Sequence, residues 1–274
     1  MSFSVDDGER VALLGRNGAG KTTLLRILAG VLDPSAGEVR IAGAAPSDPD
    51  PAWRARIGFL PERPPLHDDM DVAPYLRHAA ELRGADPKAA ARVIERCDLR
   101  RYAERRIGTL SHGVRQRVGL AQAIVHGPRV LLLDEPAAGL DPAQTLGLRE
   151  LLQSLELTLV LSSHLLSEVA RIATRYLVLE EGRLVRDFAA TDEDERVQLR
   201  VEAAPGIPTP ERILVDVVGR DGFETVDGTT FRIDAADRAA VCRALIAAGH
   251  ELVALERPTS TLSELEAIFG EVAG

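Results

Sequence analysis

Gly15-Arg16-Asn17-Gly18-Ala19-Gly20-Lys21-Thr22-Thr23 is the stretch that decides the fold. Gly15 and Gly20 bracket four residues, and Lys21 and Thr22 follow at once. That is the pattern of a phosphate-binding loop. Glycines let consecutive backbone N–H groups of Asn17, Gly18, Ala19 and Gly20 turn inward around a polyphosphate. A helix opening at Lys21 points its positive end at the same place, with Thr23 in its first turn. Lys21 reaches the β and γ phosphates, and the Thr22 hydroxyl is a ligand for Mg2+. The context agrees. Residues 10–14, Arg-Val-Ala-Leu-Leu, read as a buried strand, and residues 21–29 read as a helix.

A loop of this kind needs a carboxylate partner. Val130-Leu131-Leu132-Leu133-Asp134-Glu135-Pro136 supplies two. An apolar strand delivers them to the C-terminal edge of a parallel sheet, where ligands of open α/β sheets bind. Asp134 is the candidate Mg2+ holder. Glu135 is the candidate for orienting and polarising an attacking water.

Working outward, strands alternate with helices. Short strands are expected at residues 39–42, 57–60, 158–162 and 176–179. Residues 71–102 follow a helical pattern, with Asp86-Pro87 as a helix start. Ser111 caps a further helix reaching His126, and Asp141-Pro142 starts another. This is an α/β domain with a mostly parallel sheet. Residues 191–196 form a charged linker. Residues 197–274 then read as strand, helix, two strands, helix and strand, with a final helix from Thr261. That βαββαβ order is ferredoxin-like, α+β. The domains expected are therefore 1–190 and 197–274.

Composition sets limits. With 274 residues, 45 % of them hydrophobic, the chain can bury a real core. The formal net charge of -9 argues against nucleic acid as a general partner. Cys97 and Cys242, the two cysteines, lack metal-ligand spacing and read as reduced thiols. No apolar run approaches the roughly 20 residues that cross a bilayer, and Asp6, Asp7 and Glu9 exclude a signal peptide at the start. A soluble, cytoplasmic protein is expected.

Leu110-Ser111-His112-Gly113-Val114-Arg115-Gln116-Arg117 narrows the class. It resembles the signature motif of ABC ATPases, most often Leu-Ser-Gly-Gly-Gln, and departs from it at His112 and Val114. Gly139-Leu140-Asp141-Pro142 resembles the D-loop of that family, and Ser162-Ser163-His164 its switch loop. Ile57-Gly58-Phe59-Leu60-Pro61-Glu62 is similar to the segment that carries a glutamine in most members; glutamate there resembles the bacterial exporter branch. The resemblance spans residues 2–186. It implies a P-loop NTPase core of ABC type, with antiparallel β and helical subdomains beside the parallel sheet. It implies ATP and Mg2+ as cofactors, with Glu62 near the metal and His164 at the γ phosphate. It places Ser111 and Gly113 against the ATP of a second protomer in a head-to-tail dimer. The partner it implies is an integral membrane permease on a separate chain, docked near residues 63–85, with this chain on the inner face of the membrane. The residues after 196 resemble the small C-terminal domain of bacterial exporter ATPases.

Members of this family begin with an earlier strand and an adenine-stacking aromatic residue. Here Met1 leads directly into the strand before the phosphate loop, and Phe3 reads as a core residue of that strand. A start misplaced at an internal methionine, or a truncation, is the expectation, with a shortened natural protein as the alternative. Two further readings stand beside transport: a soluble ABC ATPase that regulates another machine, and a nucleotide-binding module impaired by truncation. The transported substrate is not legible.

Overall fold

The computed structural model describes residues 1–45, 51–163, 172–190, 196–220, 222–234 and 236–256. The chain divides into two compact units, Met1–Ala190 and Thr191–Gly274.

The first unit is built on one six-stranded sheet. Its strands are β1 (Arg10–Leu14), β2 (Ile57–Leu60), β3 (Val130–Asp134), β4 (Thr158–Ser162), β5 (Arg175–Glu180) and β6 (Arg183–Ala189). The order across the sheet is β2-β3-β4-β1-β5-β6. All pairings are parallel except β5 with β6. β3 and β4 are buried at every residue, as expected of central parallel strands covered on both faces. Side chains alternate between those faces. Val11, Leu13, Val130, Leu132, Val160, Leu177 and Leu179 form one core with Leu25. Leu25 comes from α1 (Lys21–Leu28).

Beyond β2 lie α2 (Val72–Leu82), α3 (Ala89–Arg96) and α4 (His112–Ile124), which pack on one another. α4 also packs on β2. α5 (Pro142–Gln153) starts with Pro142 at its first turn, and the Asp141 carboxylate accepts from the Gln144 N–H at 2.8 Å.

Three expectations about elements are corrected, and one strand was not foreseen. The second helix expected within 71–102 opens later than Asp86-Pro87. Asp86-Pro87 makes a turn, with the Asp86 carboxylate accepting from the Lys88 N–H at 2.7 Å, and the helix opens only at Ala89. Residues 39–42 form no strand. Ala42 and Gly43 both take positive φ, so the chain folds back and Ile41 pairs with Ala44 instead of a neighbouring strand. Phe3 is not in a strand; it packs partly buried against the core beside Val5. What ties that segment down is Arg175, which donates to the Ser4 carbonyl at 2.9 Å and to Glu9 at 3.2 Å. The same guanidinium grips Asp187 with two bonds, which holds that carboxyl below its usual range. Finally, β6 was not expected. Its signal was Glu181-Gly182, a two-residue turn with both φ positive, directly after an apolar strand.

The second unit contains β7 (Arg196–Glu202), α6 (Pro210–Val218), β8 (Phe223–Asp227), β9 (Thr230–Asp234), α7 (Arg238–Ala247) and β10 (Glu251–Glu256). The sheet order β10-β7-β9-β8, antiparallel throughout, is the ferredoxin-like arrangement. Val197, Leu199, Val201, Phe231 and Ile233 face Leu214, Val241 and Leu245 of the helices. The helix expected from Thr261 lies outside the described residues. Among the described residues no helix is long and apolar enough to cross a membrane.

The two cysteines differ in environment. Cys97 follows α3 and is buried, which pushes its thiol up to about 12. Cys242 on α7 is half-buried. At pH 8, Ellman's reagent should therefore label one thiol per native chain quickly and the second only after denaturation. Two fast thiols in the native chain would mean that α3 does not seal its C-terminal end as described.

Candidate nucleotide site

The site grows from the register of three strands. Ser162 of β4 is level with Leu13 of β1 on one side and with Asp134 of β3 on the other. The C-terminal ends of these strands therefore open at one place. From β1 the chain must turn sharply. Gly15 does so at φ +153°, where a side chain would run into the Leu179 carbonyl. Gly20 ends the loop at φ +102° and is the N-cap of α1, with no side-chain cap to block the helix end. Asn17 and Gly18 are exposed, and so is Thr23; Ala19 is buried. The turn between β5 and β6 braces the loop, because the Gly182 N–H donates to the Ala19 carbonyl at 3.0 Å.

Lys21 folds back under this loop. Its ammonium donates to the Gly15 carbonyl at 2.7 Å and lies 3.8 Å from Glu135 Oε1. The side chain is only 6 % exposed, so carbonyls and carboxylate compensate for lost water. Thr22 donates to Asp134 Oδ1 at 3.0 Å. Ser162 donates to the same oxygen at 2.8 Å. Asp134 Oδ2 is buried and has no hydrogen-bond partner among the described residues. A carboxylate oxygen left over beside a threonine hydroxyl and an N-terminal helix turn suits a hard divalent cation such as Mg2+. Glu135 follows with φ +47°, a left-handed conformation that costs on the order of 1–2 kcal/mol for a side-chain-bearing residue. Its N–H donates to Ser162 Oγ at 2.9 Å.

The other expected residues fall as follows. Glu62 is exposed, two residues beyond Leu60, the register partner of Leu133. It therefore sits at the same sheet edge as Asp134, one strand over. His164 lies outside the described residues. Ser111 occupies the N-cap of α4, but its side chain makes no capping bond, contrary to expectation. The residue is exposed, and its side chain does not close the N-terminal end of the helix. Gly113 is buried against the Gln144 side chain, and His112 Nε2 is 3.0 Å from the Ala138 carbonyl. The signature residues thus contact the segment after Glu135. Sequence reading placed Ser162 in the switch-loop stretch but gave the chemistry there to His164, and it assigned no role to Gly182. The importance of Ser162 comes from the two strands beside it.

A glycine loop on the edge of a mostly parallel sheet, faced by an Asp-Glu pair, defines a P-loop nucleotide-binding fold. Residues 1–138 match the ABC transporter family. The chain belongs to that family. It is 31 % identical over 274 residues to the uncharacterized ABC transporter ATP-binding protein YcbN of Bacillus subtilis, covering 96 % of this chain and 89 % of that protein. It is 37 % identical over 196 residues to the Nod factor export ATP-binding protein I of Burkholderia orbicola, covering 69 % of this chain and 64 % of that one. Several curated relatives are matched over only 63–65 % of their length, just under two thirds. Among solved structures, it resembles a dimeric ATP-binding cassette in a post-hydrolysis state bound to ADP and Pi. That match has a TM-score of 0.63 and 26 % identity, and covers 68 % of this chain and 88 % of that one.

Proposed function

We propose that this chain binds and hydrolyses ATP as the engine subunit of an ABC exporter whose membrane-spanning permease is a separate chain. The observation that carries the reading is the joined cluster of Lys21, Thr22, Asp134 and Glu135 at one sheet edge. The relative named for Nod factor export supports the export direction. The dimeric cassette with ADP and Pi supports a head-to-tail pair.

In this reading the triphosphate lies in the loop of Gly15 to Thr23. Phosphate oxygens take over the Lys21 ammonium from Gly15 and Glu135. Glu135, released from that ion pair, orients a water in line with the γ phosphorus. The water oxygen bonds to phosphorus, the bond to the bridging oxygen breaks toward ADP, and Glu135 accepts the proton. Thr22 and Asp134, with Glu62 at the edge, would hold Mg2+, which supplies charge neutralisation on the phosphates when bound. Ser111 and Gly113 present the open end of α4 to the ATP of the second protomer, and His164 reads the γ phosphate. Closure of the pair drives the permease at the inner face of the membrane. Residues 191–196 act as a linker to an accessory domain at 197–274.

Light scattering on Glu135→Gln tests this. The variant should be monomeric without nucleotide and dimeric with ATP and Mg2+, because binding survives and hydrolysis is blocked. A chain that binds ATP yet stays monomeric rules out the head-to-tail pair.

A further inference from the structure

The Ser162 side chain touches both members of the acidic pair. It is fully buried, with 0 % exposure, in the strand between the one that leads into the phosphate loop and the one that ends in Asp134. Its hydroxyl has one proton to give, and that goes to Asp134 Oδ1 at 2.8 Å. Its lone pair receives the Glu135 N–H at 2.9 Å. The direction is forced: a carboxylate only accepts and a backbone N–H only donates, so the hydroxyl is polarised one way.

We propose that Ser162 is a positioning residue for both carboxylates. The inference rests on the nucleotide reading above and deepens it. Ser162 does two things at once. By occupying Oδ1 together with Thr22, it fixes the Asp134 carboxylate about its last torsion. Oδ2, the buried oxygen with no hydrogen-bond partner among the described residues, is then the one presented to a cation. By accepting the Glu135 N–H, it holds the backbone at φ +47°, a conformation that glutamate would otherwise leave. The direction in which Glu135 aims its side chain depends on that backbone angle. One hydroxyl thus couples the metal-facing oxygen to the water-orienting carboxylate. Where a nucleotide's Mg2+ recruits the Thr22 hydroxyl, Ser162 is the remaining bond that keeps Asp134 oriented.

Three variants separate the hydroxyl from its volume. Ser162→Ala removes it, Ser162→Cys keeps the size but bonds weakly, and Ser162→Thr keeps the hydroxyl. Ala and Cys should lower kcat by about 10- to 100-fold, the scale of a small misplacement of a reacting group, with KM for ATP little changed. The Mg2+ concentration giving half-maximal rate should rise several-fold, on the scale reported for lost outer-shell partners of a metal, roughly 10-fold or more in affinity. Thr should recover most of both. A second readout does not need turnover: the thermal stabilisation conferred by ADP should depend on Mg2+ in the native chain, and weakly so in Ala and Cys. Wild-type kcat and wild-type Mg2+ dependence in Ala or Cys would overturn the proposal, as would loss in Thr equal to that in Ala. If the native chain binds Mg2+ and ADP but turns over no ATP, the hydrolysis reading fails. The Mg2+ dependence of the variants then decides the role of Ser162 alone. Should Ala not fold, the Cys variant carries the test.

Discussion

A Lys21→Ala chain should hydrolyse ATP at least about 10²–10³-fold more slowly than the native chain, the scale of removing one preorganised charge-stabilising group. The reason is geometric. The ammonium is held at 2.7 Å from the Gly15 carbonyl and is 6 % exposed, so its charge already sits at the loop, and a phosphate need only replace the partners it has. A mobile surface lysine would have to give up rotamer freedom first. The substitution also strips Glu135 of its 3.8 Å partner. Glu135 is 13 % exposed, so solvent relieves part of that loss, and the fold should survive. ATP binding by calorimetry, turnover and thermal melting together check this. Near-native turnover would remove Lys21 from the site. Unfolding without nucleotide would instead make it a structural residue.

Gly58→Ala should have the largest effect on stability. Gly58 lies in β2 where α4 crosses it. A Cβ there would overlap the Ala123 carbonyl of α4 and come within 3.0 Å of Leu131 Cδ1 and 3.1 Å of Pro128 Cγ. The first obstacle is backbone, so no rotamer change relieves it. The helix is pinned on its other approach too: a Cβ on Gly119 would come within 2.6 Å of Pro64. Overpacking of this kind costs about 1–3 kcal/mol or more. At roughly 2–4 °C per kcal/mol for a domain of this size, the melting temperature of the first unit should fall by about 5–10 °C. Because α4 carries Ser111 and Gly113 at its N-terminus, ATP-driven dimerisation should weaken as well. A melting point within a degree of native would show that α4 and β2 do not approach as closely as described.

The contrast between these two residues shows where sequence reading reached. Lys21 stood out because the loop, the strand before it and the helix after it are consecutive, and local backbone chemistry determines all three. The Asp134-Glu135 pair was legible for the same reason. Gly58 carried no signal, since its neighbours Ala123, Pro128 and Leu131 come from far along the chain. β6 was missed although the Glu181-Gly182 turn announced it. Residues 39–42 looked like a strand by apolar content, yet Ala42 and Gly43 turned the backbone on itself. Asp86-Pro87 looked like a helix start, but the Asp86 carboxylate closed a turn on Lys88 instead.

From the order of residues alone came the α/β class, the phosphate loop, the acidic strand end, the family and the ferredoxin-like pattern of the second unit. Each depends on contacts within a few residues or on the period of apolar side chains. Only tertiary structure decided that β4 lies between β1 and β3. That order puts the Ser162 hydroxyl on Asp134 and under the Glu135 N–H, and it brings Lys21 within reach of Glu135. Strand order is set by how whole faces bury against helices, and no short stretch of sequence encodes it.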